Sequence, residues 1–145
     1  MMDVKELNGY RFEDLKVGMS AFFSRTITDT DLRNFSGVSG DTNPMHLNEE
    51  YAQSTYFKGC IVHGFLTASL LSTVIGTKLP GPGCIYVNQT LLFKAPVYVG
   101  ETVYAKATVT KLIHEKRRVV LQTQCIVKDV VVLDGEAIVQ LPEYK

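Results

Sequence analysis

Residues 59–77, GCIVHGFLTASLLSTVIGT, contain no Lys, Arg, Asp or Glu. A run of this length approaches the twenty or so apolar residues that cross a bilayer. It also carries His63, Thr67, Ser69, Ser72, Thr73 and Thr77, with glycines at 64 and 76. That is too polar for a lone span and suits a helix wrapped by protein on nearly every side. Pro and Gly in LPGPG (79–83) stop it. The question then becomes what the rest of the chain can put around such a helix.

The answer lies after Gly83. CIYVNQTLLFK, TVYAKATVTKLI, RRVVLQTQCIVK and VVLDGEAIVQL are rich in β-branched and aromatic residues and are separated by KAPVYVGE, HEK and KDV. Short connections between successive strands predict antiparallel pairing. The fold class is therefore α+β, an antiparallel sheet whose inner face is covered by one long apolar helix. Ahead of the helix, VGMSAFFSRTIT (17–28) reads as a strand ending at a helix start. There Thr28 is the N-cap and Asp31 completes a capping-box variant. That helix breaks near Gly40, and Asn48 caps a short helix EEYAQST. With 145 residues, 46% hydrophobic and 21% charged, the whole of 1–145 is expected to be one domain.

Fifteen basic and fifteen acidic residues cancel, which argues against a general affinity for nucleic acid or anionic membrane. The basic run KLIHEKRR (111–118) reads as a solvated hairpin end, with His114 exposed in it. Cys60, Cys84 and Cys125 are odd in number and far apart, without Cys-x-x-Cys. They read as buried thiols in a reducing, cytoplasmic setting. The N-terminal MMDVKELNGYRFEDLKVG carries acidic residues and no apolar core, so no signal peptide is expected.

Chemistry concentrates in SGDTNPMHLN (39–48), where Asp41 and His46 stand five positions apart. On a helix five residues is about 500°, leaving the side chains roughly 140° apart. On a strand an odd spacing sends them to opposite faces. Pro44 pushes Asn43 towards an extended conformation. A turn that curls both side chains towards one point is what remains.

Phe35 to Ala52, FSGVSGDTNPMHLNEEYA, resembles the signature of the MaoC-like, (R)-specific enoyl-CoA hydratases, also called hydratase 2. The shared core is Gly40, Asp41, Asn43, Pro44 and His46; Met45 departs from the usual Leu, Ile or Val. IVHGFLTASLLS (61–72) and IYVNQTLLFKAPVYVGETV (85–103) are similar to the same family. The resemblance implies a hot-dog fold with segment 62–77 as its central helix, and a homodimer with sites near the subunit interface. It also implies a hydro-lyase that hydrates trans-2-enoyl-CoA to (R)-3-hydroxyacyl-CoA by syn addition, as in fatty acid metabolism. Asp41 is then the expected base and His46 its partner in holding water and shuttling the proton. Free N–H groups at the start of the long helix, at Gly64, suit an oxyanion. Asn43 orients the thioester or the loop, or is a plain turn residue. Ser72 hydrogen-bonds the dyad, or its own helix, and His63 is structural.

Asp41, His46 and His63 are possible metal ligands, but no His-x-x-x-His supports them and hydration needs no metal. No glycine-rich nucleotide motif is present, and coenzyme A enters as part of the substrate. A 3-hydroxyacyl-ACP dehydratase, a hot-dog thioesterase and a non-catalytic acyl-CoA-binding subunit are the alternatives.

Overall fold

The element ahead of the motif forms around its cap. In the computed structural model, which describes residues 1–143, β1 (Ser20–Thr26) leads through Thr28 into α1 (Asp29–Ser39). The Asp31 N–H donates to Thr28 Oγ1 at 3.2 Å and the Thr28 N–H donates to Asp31 Oδ2 at 3.0 Å, a reciprocal capping box. Arg25 on β1 pairs with the same Asp31 at 2.6 Å, tying strand to helix. Gly40 ends α1 at φ 79°, a left-handed conformation that glycine adopts without strain. Two short helices follow, α2 (Pro44–Leu47) and α3 (Glu49–Ser54), and then α4 (Gly64–Thr77). The final two positions of the expected 1–145 unit lie outside the described residues.

The second half is sheet: β2 (Ile85–Gln89), β3 (Leu92–Phe93), β4 (Thr102–Ile113), β5 (Arg118–Val127) and β6 (Val130–Gln140). Every pairing is antiparallel, in the order β1-β4-β5-β6-β2, with β3 also on β6. Alternate residues Val103, Ala105, Ala107 and Val109 of β4 are buried, as a strand with one face inward requires. They meet Leu70, Leu71, Val74 and Ile75 of α4, all in one core with Leu121 and Leu133. The small side chains of Ala105 and Ala107 let the helix lie close to the sheet. Each large side chain fully buried this way contributes about 1.5–3 kcal/mol. A sheet around one apolar helix is the hot-dog fold.

Three local expectations change. The helix begins at Gly64 rather than residue 62, because the Val62 N–H donates to Val97 O at 2.7 Å and holds the chain extended up to His63. The helix is not wrapped on nearly every side, since Phe65, Ser69 and Ser72 are exposed. CIYVNQTLLFK is two strands rather than one. At Thr90 the chain crosses so tightly over Gly135 of β6 that a Cβ there would lie 1.9 Å from Thr90 O. The Thr90 N–H donates to Glu136 O and the Glu136 N–H returns a bond to Thr90 Oγ1, both at 2.9 Å, so the break is locked. Of the three thiols, Cys125 is buried while Cys60 and Cys84 are half-buried. No described helix is long and apolar enough to cross a membrane.

Candidate active site

Asn43 and Pro44 turn the motif inward. The Met45 N–H donates to Asn43 Oδ1 at 3.1 Å, and Pro44 takes the first helical position, where its missing N–H costs nothing. The single turn that follows, α2, carries His46 into the interior. Its Nδ1 lies 2.7 Å from Ile61 O. A carbonyl only accepts, so Nδ1 carries the proton and Nε2 is left with its lone pair free. The Ile61 N–H faces Met45 O at 3.4 Å, so α2 is held to the approach of α4 from both sides.

Asp41 sits before this turn, exposed, with its N–H donating to Ser39 Oγ at 3.1 Å and its Oδ1 accepting from the Asn43 N–H at 3.3 Å. Those local bonds aim its carboxylate without burying it. A carboxylate oxygen of Asp41, a ring nitrogen of His46 and a ring nitrogen of His63 all lie within 4.8 Å of one another. One water molecule spans such a gap.

His63 caps α4 from inside the site. Its ring stacks on His46, centroids 3.9 Å apart and planes 27° from parallel, with Phe35 of α1 at 4.8 Å on it. Its Nε2 lies 3.1 Å from both Asp41 O and Ser36 Oγ. Burial holds its pKa below the usual histidine range. The bond to the Asp41 carbonyl opposes that shift, and His46 adds to it. Near-parallel rings direct their in-plane lone pairs side by side rather than at one point, so this cluster is poorly shaped for a shared metal ion.

Beside the dyad lies a cavity of about 530 Å³, within the range of small-molecule sites. His46, Ile61, Gly64 and Thr67 line it together with Phe93, Lys94, Val97, Val132 and Leu133. The Gly64 N–H makes no hydrogen bond within the described residues, as expected of the first turn of a helix. A Cβ at Gly64 would come within 2.7 Å of the Phe93 ring, so only glycine lets that ring close over the helix start.

Residues 16–132 match the MaoC-like domain family. The chain belongs to that family. It is 52% identical over 141 residues to the (R)-specific enoyl-CoA hydratase of Rhodospirillum rubrum, covering 97% of this chain and 98% of that one. It is 48% identical over 138 residues to the 3-hydroxybutyryl-CoA dehydratase of Methylorubrum extorquens, covering 95% and 88%. The solved structure of the (R)-hydratase from A. caviae involved in PHA biosynthesis superposes with a TM-score of 0.87 at 40% identity, covering 90% of this chain and 99% of that one.

In this MaoC-like chain the expected site residues His46 and Gly64 line one cavity, and a carboxylate oxygen of Asp41 lies within 4.8 Å of a ring nitrogen of His46. Asn43 stands in the turn with its side-chain oxygen committed to the Met45 N–H. Ser72 lies two turns further along α4 on the exposed face, and among the described residues its side chain makes no hydrogen bond to Asp41 or His46. His63, expected to be structural, directly precedes Gly64 at the start of α4 and stacks on His46.

Proposed function

We propose that this chain is a hydro-lyase that reversibly adds water to trans-2-enoyl-CoA, giving (R)-3-hydroxyacyl-CoA. One observation carries the reading: an aspartate and a histidine share a single water-sized gap beside a cavity whose wall includes a free helix N–H. The identities to hydratases and a dehydratase of CoA thioesters support the substrate class and the (R) configuration.

The chemistry follows from the hydrogen-bond inventory. With Nδ1 donating to Ile61 O, His46 Nε2 accepts from a water and fixes one of its protons. Asp41 accepts the other and serves as the base. The water oxygen bonds to C3 while the C2–C3 π electrons move towards the thioester oxygen, which the Gly64 N–H receives. A proton delivered by the dyad to C2 completes syn addition and restores both side chains. Positioned acid–base groups contribute about 10²–10⁴ in rate, and one oxyanion donor roughly 2.7–4 kcal/mol. No metal or further cofactor enters this sequence of steps.

We also infer a homodimer. β2 closes one edge of the sheet, and Ile85, Tyr86, Val87, Leu92 and Phe93 on β2 and β3 are all exposed. An apolar edge strand of this kind favours pairing with a second copy.

The test uses purified protein with crotonyl-CoA and longer trans-2-enoyl-CoAs, following loss of the conjugated-thioester absorbance and the chirality of the product. Loss of absorbance with an (R) product is expected. No loss at any chain length, or an (S) product, overturns the reading. Release of free thiol instead identifies a thioesterase, and activity confined to acyl-carrier-protein thioesters a carrier-protein dehydratase.

A further inference from the structure

The proposed hydration gives His63 no step, yet its side chain meets both members of the dyad. It holds the Asp41 backbone through Nε2, lies face to face with His46, reaches Ser36 and Phe35 of α1, and precedes Gly64. A residue that merely filled space at this point would not need an imidazole.

The hydrogen inventory fixes its protonation state. Asp41 O is an acceptor and cannot approach a nitrogen lone pair at 3.1 Å without repulsion, so Nε2 carries the proton and shares it between that carbonyl and Ser36 Oγ. Nδ1 is then a bare lone pair, buried, with no donor among the described residues. A second proton at Nδ1 would create a buried cation with no acceptor, against the face of His46. The titratable groups that face the ring are His46, from α2, and Asp41, from the loop before it.

We propose that His63 is a positioning residue for the hydration, a permanently neutral imidazole that pins the Asp41 main chain with its Nε2–H and offers its π face to His46. This rests on the hydratase reading above. Two stacked imidazoles would ordinarily compete for a proton. Here the His63 ring is barred from taking one, so the proton in transit stays within the Asp41–His46 dyad. When His46 carries it, the neutral ring beneath is a favourable π surface for the cation. The same stack fixes the plane of His46 and therefore the direction of its free Nε2.

The experiment has two arms. In the first, ¹⁵N imidazole spectra of the folded protein between pH 8 and 5.5, assigned with H46Q and H63Q, are expected to show His63 as the Nε2–H tautomer throughout. An Nδ1–H tautomer, or titration of His63 with the midpoint of an ordinary histidine, overturns the proposal. In the second, H63Q keeps an amide donor for Asp41 O but loses the stack, and H63F keeps the stack but loses the donor. Each is expected to lower kcat by about 10- to 100-fold with KM within about threefold of the parent, the signature of misplaced catalytic groups. Circular dichroism and urea unfolding of H63Q and H63F, each expected to show the parental fold, separate misplaced groups from misfolding. Parental kcat in both His63 variants, or a loss confined to KM, overturns the proposal. A parent protein with no hydratase activity overturns the functional reading instead, while the spectra still decide the tautomer.

Discussion

Replacing Gly64 by alanine separates catalysis from stability. An added Cβ meets Phe93 Cε1 at 2.7 Å, Cδ1 at 3.0 Å and Cζ at 3.2 Å, against ordinary carbon contacts of about 3.5–4.0 Å. The ring must retreat by about an ångström. Within one protomer Phe93 is 49% exposed, so a ring displaced by that distance gives up only part of its burial. Alanine also recovers up to about 0.5–1 kcal/mol of backbone entropy relative to glycine in a helix. The two effects oppose each other, and net stability is expected within about 1 kcal/mol of the parent. The active site has no such offset. A methyl group over the Gly64 N–H obstructs the thioester oxygen, and loss of one oxyanion donor is worth roughly 2.7–4 kcal/mol, or about 10²–10³ in rate. The assay is kcat/KM for crotonyl-CoA beside urea unfolding of the same preparation. F93A and the double variant G64A/F93A then separate the methyl from the displaced ring. The double variant is expected to stay as slow as G64A. Activity of G64A within threefold of the parent, or recovery of the double variant to the F93A level, would refute the assignment of an oxyanion to this N–H.

D41N and H46Q are each expected to lower kcat by at least about two orders of magnitude with circular dichroism unchanged; near-normal turnover in either shows the roles misassigned. The depressed pKa of His63 predicts acid sensitivity. Below the unfolded-state value of about 6.5 the unfolded chain binds a proton that the native state refuses, so stability falls as pH drops. The slope is at most about 1.4 kcal/mol per pH unit from this one group, and urea titrations at pH 7.5, 6.5 and 5.5 should show a steeper decline in the parent than in H63Q. Equal declines would contradict it. T28A removes half of the capping box and is expected to cost about 0.5–2 kcal/mol, seen as a drop in Tm without loss of specific activity.

What the sequence disclosed follows the range of the interactions. Thr28 with Asp31, Gly40 and Asn48 were readable because each cap is closed within a few residues of itself. The long strands were readable from composition and their short connections. The break between β2 and β3 was not, because its cause is Gly135, which reaches Thr90 only through the sheet. At the site, periodicity excluded a continuous helix or strand joining Asp41 to His46, and the structure supplies a one-turn helix started by Asn43 and Pro44. The sequence allows Asn43 an orienting role or a turn role; its bond to the Met45 N–H is a capping bond. The stacking of His63 on His46 depends on two helices meeting end to side, which no local pattern encodes.

The helix that carries His46 is four residues long and shares its last cap, Asn48, with the helix that follows. A piece that short has no helical stability of its own. It is ordered by the bond from His46 to Ile61 O, the contact between the Ile61 N–H and Met45 O, and the ring stack. Those ties can open together while β4, β5 and β6 remain intact, as a small cooperative unit below the global stability of the molecule. Heat should therefore silence the enzyme before it melts it, with amide exchange at residues 45–48 quickening at the temperature where activity fades.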